Sequence, residues 1–588
     1  MTTGRDLHSF ARPEQVRVTH CSLALEASFP RRTLTGSVTL DVKRVSPDAP
    51  LILDTRDLEI HSVTCGSCDA PFDLGDTDPI LGTPLIIRLP HGLDSVHIAY
   101  ATRPGATGLQ WLAPKQTAGG RHPFLFSQNQ SIHARSWIPI QDSPGVRFTY
   151  DARVLAPEPL TALMSAERCG SENNEYSFRM NLPVPAYLIA LGIGDLAFAP
   201  LGARTGVWAE PPVVASAARE FSDAEHLVET VEQLYGPYLW GRYDLLILPP
   251  SFPFGGMENP KLTFATPTII AGDKSLVSLV SHELAHSWSG NLVTNATWSD
   301  FWLNEGFTTY IENRIQEVIY GREQALMEQV IDRRELSKEM AGLSPRDQIL
   351  HIDLAHRDPD EGTTRVPYIK GALLLRLMEQ VFSRPVFDQF LKRYFAHFAF
   401  QSITTADALQ YFQRELFDSF PSQAAQISIR EWVYEPGLPA SAPVAHSERL
   451  DTVARLARRW QAGEISAGEI PHTGWRTQEW LEFLQVVDRP LGADQMAALD
   501  DAFRLTQNGN FEVLDEWLLM SIESAYQPAA SRLEQFLLSL GRMRYIKPLY
   551  IELMKTPAGT SRARQIYAQA RPGYHPIAQI ALDKIVQP

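Results

Sequence analysis

Residues 282–286 read His282-Glu283-Leu284-Ala285-His286. On a helix, side chains four positions apart leave from the same face, so the two imidazoles can bind one metal ion. Glu283 lies beside them and can act as general base towards a water molecule at the metal. The segment therefore predicts a helix that carries a catalytic zinc site with one zinc ion per chain.

A catalytic zinc ion needs a third protein ligand and one open coordination position. Eighteen residues separate His286 from Glu305, which we predict to be that ligand on a second helix. A His six residues after the second His would indicate the metzincin class, but Leu292 occupies that position. The alternative is a surface helix with incidental histidines. It is disfavoured because His accounts for only 16 of the 588 residues.

Composition and charge narrow the class of protein. The chain is 44% apolar and has a formal net charge of −15, which disfavours nucleic acid and anionic membranes as partners. It has only four cysteines, a usage that fits a reducing compartment. No stretch approaches the roughly 18 apolar residues of a membrane span. We therefore expect a cytoplasmic protein. The sequence does not determine the oligomeric state, for which we assume a monomer.

The pattern along the chain predicts a multidomain α+β protein. Val38, Leu40 and Val42 alternate with polar residues, as in half-buried strands. Near the C-terminus, apolar residues recur with the period of a helix, which favours repeated helix pairs. The predicted order is an N-terminal, mostly antiparallel β domain (1–195), a zinc catalytic domain (196–436), a Pro-rich linker (437–448) and a C-terminal α-helical, solenoid-like domain (449–588).

Within the catalytic domain, two helical segments are predicted to carry the metal ligands. Segment 275–290 contains both histidines, and segment 304–320 begins beside Glu305. A short apolar run at 245–248 is typical of a buried strand. A metal-binding helix that faces a short sheet indicates a zincin-like mixed α/β core.

Several further segments resemble one family of zinc peptidases in the same order along nearly the whole chain. With the zinc motif, they resemble the gluzincin aminopeptidases of family M1, in the branch of leukotriene-A4 hydrolase and aminopeptidase B. The resemblance implies a thermolysin-like catalytic domain and short peptides with a free N-terminus as substrates. The segments are residues 108–112, 126–130, 250–260, 358–360, 366–368 and 541–544.

The resemblance also implies roles for individual residues. Tyr368 is expected to donate a hydrogen bond to the developing oxyanion, and Glu258 to bind the substrate ammonium, as a carboxylate near the metal can do. Arg542 is expected to hold the substrate's C-terminal carboxylate, with Arg544 in support. Glu312, one heptad after Glu305, can orient a zinc-binding histidine. The expected substrate-binding set is Gln130, Gly255, Gly256, Met257, Glu258, Asp360, Arg542 and Arg544.

Two positions depart from leukotriene-A4 hydrolase. Thr363 stands where that enzyme has a second tyrosine, and Ile369 follows Tyr368 in place of an acid. Asp360, which serves the peptide pocket and the epoxide reaction in the family, is retained. The alternative function is therefore an epoxide hydrolase acting on a fatty-acid epoxide at the same site. A non-catalytic peptide-binding scaffold is disfavoured, because degeneration would normally lose Glu283 or a metal ligand.

Overall fold

Alternating burial gives the N-terminal region its strands. In strand Thr33–Arg44, Val38, Leu40 and Val42 are buried while the residues between them reach the surface. The computed structural model describes residues 5–587. Its strands in this region are β1 (Val16–Ser28), β2 (Thr33–Arg44), β3 (Leu51–Thr55), β4 (Glu59–Cys65), β5 (Cys68–Asp69), β6 (Phe72–Leu74), β7 (Thr83–Ile87), β8 (Ser95–Ala101), β9 (Leu109–Leu112), β10 (Phe124–Ser127), β11 (Phe148–Leu155), β12 (Thr161–Met164), β13 (Glu167–Glu172), β14 (Glu175–Val184) and β15 (Leu191–Gly194).

The strands assemble into mostly antiparallel sheets, as predicted. The large sheet has the order β13-β14-β11-β1-β2-β8-β4-β5, and β1 and β11 pair in parallel within it. Another sheet has the order β12-β15-β10-β9, and a small one has the order β3-β7-β6. Strand β10 ends at Ser127. The segment that follows it leaves this sheet towards the next domain and contains Gln130.

The catalytic region joins a small sheet to a layer of helices. The sheet has the order β16-β17-β18-β20-β19, and β21 pairs separately with β22. The strands are β16 (Ala197–Pro200), β17 (Thr205–Ala209), β18 (Tyr243–Ile247), β19 (Gly256–Met257), β20 (Leu262–Ala265), β21 (Val293–Asn295) and β22 (Gln401–Ile403). The helices are α1 (Pro211–Glu220), α2 (Ala224–Tyr235), α3 (Ser278–Ala285), α4 (Trp302–Tyr320), α5 (Arg322–Met340), α6 (Gly371–Phe382), α7 (Arg384–His397), α8 (Thr405–Phe412), α9 (Pro421–Ala424) and α10 (Ile429–Tyr434).

Helix α3, which carries the predicted metal ligand His282, is shorter than segment 275–290. It ends at Ala285, and His286 follows as its C-cap with helical dihedral angles. Beyond it, Asn291 donates a backbone hydrogen bond to the His286 carbonyl, and Gly290 has a φ of 109°. A side chain at Gly290 would also collide with Asn304 and His286. The chain therefore turns sharply after the second histidine and returns towards α4.

Helices α4 and α6 pack backbone against backbone. A Cβ atom placed on Gly306 would lie 2.8 Å from the Cα of Gly371, and one on Gly371 would lie 2.7 Å from the Cα of Gly306. This close approach places the start of α6 directly against the first turn of α4. It therefore fixes the segment before α6 relative to Glu305.

The C-terminal region is a helical domain with its own apolar core, as predicted. Buried residues of this core include Leu484, Leu514 and Trp517. The first helix begins at Glu448, the last residue of the predicted linker. The helices are α11 (Glu448–Gln461), α12 (Thr477–Val486), α13 (Ala493–Phe503), α14 (Phe511–Glu523), α15 (Ala530–Ser539), α16 (Met543–Leu553), α17 (Pro557–Ala570) and α18 (Pro576–Val586).

The C-terminal domain contacts the catalytic domain through charged side chains and through backbone. Arg334 of α5 pairs with Glu482 of α12 at 2.6 Å. The loop before α16 donates backbone hydrogen bonds from Gly541 to the carbonyl of Pro250 and from Met543 to that of Pro253. These bonds hold the start of α16 beside the loop that leads into β19.

The predicted domain boundaries remain predictions. The boundary after residue 195 falls between β15, in an N-terminal sheet, and β16, in the catalytic sheet. Within residues 5–587, no helix is both long enough and apolar enough to cross a membrane.

Candidate active site

The structure brings the three predicted metal ligands together. His282 on α3, His286 at its C-terminal end and Glu305 in the first turn of α4 each place a ligand atom within 4.8 Å of the others. Oε2 of Glu305 lies 3.3 Å from Nε2 of His282 and 3.5 Å from Nε2 of His286. The Nε2 atoms of both rings therefore point to one location.

The opposite nitrogen of each ring is already engaged. Nδ1 of His282 lies 2.9 Å from a carboxylate oxygen of Glu312, the residue proposed to orient a zinc-binding histidine. Nδ1 of His286 lies 3.0 Å from the carbonyl oxygen of Ser289 and 3.0 Å from Oγ1 of Thr308. A carboxylate or carbonyl acceptor at Nδ1 puts the ring proton there, which leaves Nε2 free to bind a metal.

The donor set fits zinc. Ligands about 2.0–2.1 Å from a tetrahedral zinc ion lie about 3.3–3.4 Å from one another, close to the two separations from Glu305. Oε2 of Glu305 is buried and, within the described chain, has no hydrogen-bond partner. Two imidazoles and a carboxylate with one further position open are a ligand set of catalytic zinc sites.

The site holds more negative than positive charge. Glu258 and Glu283 are buried, and among residues 5–587 neither forms a salt bridge with Lys or Arg. Burial, together with the neighbouring Glu305, raises the pKa of Glu258 and raises that of Glu283 well above its usual value. Cations that enter the site will stabilise these carboxylates in their ionised form.

Strand β19 lies directly against Glu283. A Cβ atom on Gly256 would come within 2.3 Å of Oε1 of Glu283, so any side chain there would displace the Glu283 carboxylate. Met257 is fixed from the other side by Gln128, whose amide nitrogen lies 3.3 Å from the Met257 sulfur. The next residue, Glu258, has a carboxylate oxygen within 4.8 Å of ligand atoms of Glu283 and His286.

Tyr368 faces the metal ligands from a π-helical turn, Val366–Lys370, that leads into α6. Its ring stacks on His282 with centroids 6.0 Å apart and an interplanar angle of 20°. Burial and the neighbouring Glu305 hold the pKa of Tyr368 well above its usual value. The phenol therefore keeps its proton and can donate a hydrogen bond.

Arg542 reaches the catalytic domain from the C-terminal domain. Its guanidinium donates to Oγ1 of Thr268 at 3.1 Å, pairs with Glu512 at 3.3 Å and lies over the ring of Tyr545 at 4.6 Å. A Cβ atom on Gly255 would lie 3.0 Å from one of its nitrogens. Arg542 is thus held rigidly beside the turn that precedes Glu258.

Arg544 is placed differently. Its side chain is 49% exposed and pairs with the other oxygen of Glu512 at 3.4 Å. Burial acts to raise the pKa of Glu512, but Arg544 and Arg542 outweigh it and the pKa is lowered. The structure therefore gives Arg542 a fixed position and leaves Arg544 at the edge of the site.

Gln130 and Asp360 lie close together on the side of the site that is next to the N-terminal domain. Within the described residues, Nε2 of Gln130 is buried without a hydrogen-bond partner. The adjacent Ser131 donates its backbone N–H to Oδ1 of Asp360 at 3.2 Å. His133 lies 3.1 Å from the other carboxylate oxygen.

Comparisons with known proteins agree with this geometry. Models of the peptidase M1 N-terminal domain, the peptidase family M1 domain and the leukotriene A4 hydrolase C-terminal domain match residues 17–188, 220–431 and 475–586. The chain is 37% identical to a leukotriene A-4 hydrolase of Xenopus laevis over 98% of both chains. The chain belongs to peptidase family M1.

Other members of family M1 extend the similarity. A leucine aminopeptidase 2 of Yarrowia lipolytica is 35% identical, with 99% of this chain and 94% of the relative covered. The structure of yeast leukotriene A4 hydrolase in complex with bestatin superposes with a TM-score of 0.94 at 32% identity, covering 100% of this chain and 98% of the other. The predicted family, fold class and enzyme class, a zinc aminopeptidase, are confirmed.

Sequence reasoning missed several residues that support this M1 site. Thr308 lies one turn after Glu305 on α4 and could have been found from that spacing. His286 contacts the backbone carbonyl of Ser289, and a backbone contact of this kind cannot be predicted from residue types. His133 and Glu512 come from distant elements and are joined to Asp360 and Arg542 only by the fold.

Proposed function

We propose that the chain removes N-terminal residues from short peptides, with one zinc ion per chain held by His282, His286 and Glu305. The observation that carries this proposal is Glu258. Its carboxylate is buried beside the metal ligands and, among the described residues, has no Lys or Arg partner. A buried carboxylate without a cation is costly. The ammonium of a peptide N-terminus supplies that cation and forms a charge-assisted hydrogen bond.

The chain's own residues divide the reaction between them. A bound zinc ion supplies Lewis-acid chemistry to the peptide carbonyl and to a water molecule. Glu283 accepts a proton from the attacking water and later delivers it to the leaving amine. The Tyr368 phenol donates a hydrogen bond to the oxygen on which negative charge develops. Glu258 holds the N-terminus, so that the first peptide bond is the one presented to Glu283.

Arg542 explains a preference for short peptides. A guanidinium fork suits a carboxylate, and this one is fixed beside Gly255, three residues before Glu258 in the chain. A peptide that pairs with both Glu258 and Arg542 must match the fixed separation of these two side chains. Longer peptides lose the contact with Arg542, while the contact at the N-terminus remains.

Blocking the N-terminus tests the assignment of Glu258. Wild-type enzyme should cleave a free tripeptide and leave the N-acetylated tripeptide intact, because acetylation removes the charge that Glu258 binds. Glu258→Ala should raise KM and lower kcat for the free peptide. Initial rates measured by chromatography of the products suffice, and efficient cleavage of the acetylated peptide would contradict the proposal.

A second candidate activity is hydrolysis of a fatty-acid epoxide at the same site. The retained Asp360 favours it, as do relatives that are named leukotriene A-4 hydrolase. Thr363 differs from that enzyme at the pocket wall, so we expect slower turnover or a different product ratio. Incubation with leukotriene A4 and separation of the products tests this. Clean formation of leukotriene B4 at a rate that rivals peptide turnover would reverse the ranking.

A further inference from the structure

The carboxylate of Asp360 is held at both oxygens, yet its side chain remains 31% exposed. The backbone N–H of Ser131 donates to Oδ1 at 3.2 Å, and Nε2 of His133 lies 3.1 Å from Oδ2. A carboxylate has about two acceptor positions on each oxygen. Each oxygen therefore has a protein partner, and the exposed part of the carboxylate remains accessible to a ligand that donates N–H groups.

The surroundings of His133 fix which of its nitrogens carries the proton. Nδ1 lies 2.9 Å from Oγ1 of Thr107 and 3.4 Å from a guanidinium nitrogen of Arg56. Arginine can only donate, so Nδ1 must accept. The proton is therefore on Nε2, which donates a hydrogen bond to Oδ2 of Asp360. This hydrogen bond orients the carboxylate.

Other charged groups near His133 and Asp360 do not change the tautomer assigned to His133. Asp358 precedes Asp360 in the same turn and accepts the backbone N–H of Asp360. His575 from the C-terminal domain is fully buried, and burial lowers its pKa to about 3, so it stays neutral. Burial acts to raise the pKa of Asp360, but the hydrogen bonds from His133 and Ser131 outweigh it and the pKa lies below its usual range. Asp360 is thus a fixed anion with a partly exposed carboxylate.

We propose that His133 is a positioning residue that orients Asp360 and thereby sets the preference for a basic side chain on the N-terminal residue of the peptide. This inference rests on the proposed aminopeptidase function and on the place of Asp360 in the substrate-binding set. An arginine side chain offers several N–H donors and a positive charge, which suit an exposed carboxylate with a negative charge. A leucine side chain offers neither.

Matched variants of His133 test the proposal, because Gln and Asn carry the same amide on side chains of different length. The amide nitrogen of Gln can reach the position of Nε2, whereas that of Asn falls short. Turnover is measured with arginyl and leucyl chromogenic amides, and kcat and KM are obtained separately. Melting temperature and zinc content are recorded for every variant.

In His133→Asn, the ratio of kcat/KM for the arginyl substrate to that for the leucyl substrate should fall by about tenfold, the effect of one lost hydrogen bond to a charged group. The change should appear in KM for the arginyl substrate. His133→Gln should keep the ratio within about threefold of wild type. Asp360→Asn should lower the ratio at least as much as His133→Asn does. Adding His133→Asn to Asp360→Asn should have little further effect, because both substitutions act through the same carboxylate.

Two results overturn the proposal. Either the ratio is unchanged in His133→Asn, including the case in which both substrates lose activity equally, or the double variant shows a full additional loss. Absence of turnover of both the arginyl and the leucyl substrate by zinc-loaded wild-type enzyme would instead remove the proposed function itself. The two failures are therefore distinguishable in the same assay.

Discussion

Replacing Gly256 by alanine should remove most of the peptidase activity while leaving the metal site intact. A Cβ atom at this position would lie 2.3 Å from Oε1 and 2.5 Å from Cδ of Glu283, and the nearest atoms all belong to that side chain. Ordinary van der Waals contact begins at 3.4 Å. The carboxylate must therefore move by about 1 Å.

A displacement of about 1 Å at a reacting group costs on the order of 10²-fold in rate. We therefore expect kcat for an aminoacyl chromogenic amide to fall by about 10²-fold in Gly256→Ala, with a smaller change in KM. Zinc content should match that of wild type, because the added methyl group meets Glu283 first and not a metal ligand. Glu283→Gln, whose amide cannot accept the proton, gives the lower limit for the rate.

Gly105→Ala is the matched control. No atom lies within 4 Å of a Cβ at Gly105, and its backbone is not in the left-handed region, so activity should stay at the wild-type level. All variants are compared for kcat, bound zinc and melting temperature. Wild-type kcat in a zinc-loaded Gly256→Ala enzyme would refute the argument that β19 fixes the position of Glu283. Loss of zinc or of the folded state would show that the substitution acts elsewhere.

Two further predictions concern the metal and the carboxylate-binding arginine. Glu305→Ala should lose both zinc and turnover, and exhaustive chelation of wild-type enzyme should do the same until zinc is returned; full turnover after chelation would contradict the metal assignment. Arg542→Ala should weaken kcat/KM for tripeptides by about 2–5 kcal/mol, the cost of breaking a desolvated charge pair, and barely affect aminoacyl amides, which lack a carboxylate. Equal losses on both substrate types would make Arg542 a structural residue.

The periodicity of apolar residues along the chain predicted individual strands and helix faces well. Alternation in Thr33–Arg44 gave a strand, and the apolar stripe through Leu484 gave a buried helix face. Periodicity could not predict where α3 ends. The termination depends on the left-handed turn at Gly290 and on its close contacts with Asn304 and His286, which belong to tertiary structure.

The same distinction applies to the active site. The histidines, Glu305 and Glu312 follow helical spacing, so the sequence alone could place them on common faces. The partners of Asp360 could not be predicted in this way, because His133 is separated from it by 227 positions. The sequence contains these residues but no pattern that relates them, and the fold alone brings them into contact.

The negative charge of the buried carboxylates relates the roles proposed for the metal, the peptide N-terminus and Glu283. Glu258, Glu283 and Glu305 are buried within one small volume, and burial raises the pKa of the first two. Ionised carboxylates at these distances are compatible only with cations among them. In the proposed mechanism a bound zinc ion would supply part of that charge, and the peptide N-terminus would supply the remainder at Glu258. A blocked peptide would lack this charge, so we expect it to lose the contact that would align its first bond with Glu283.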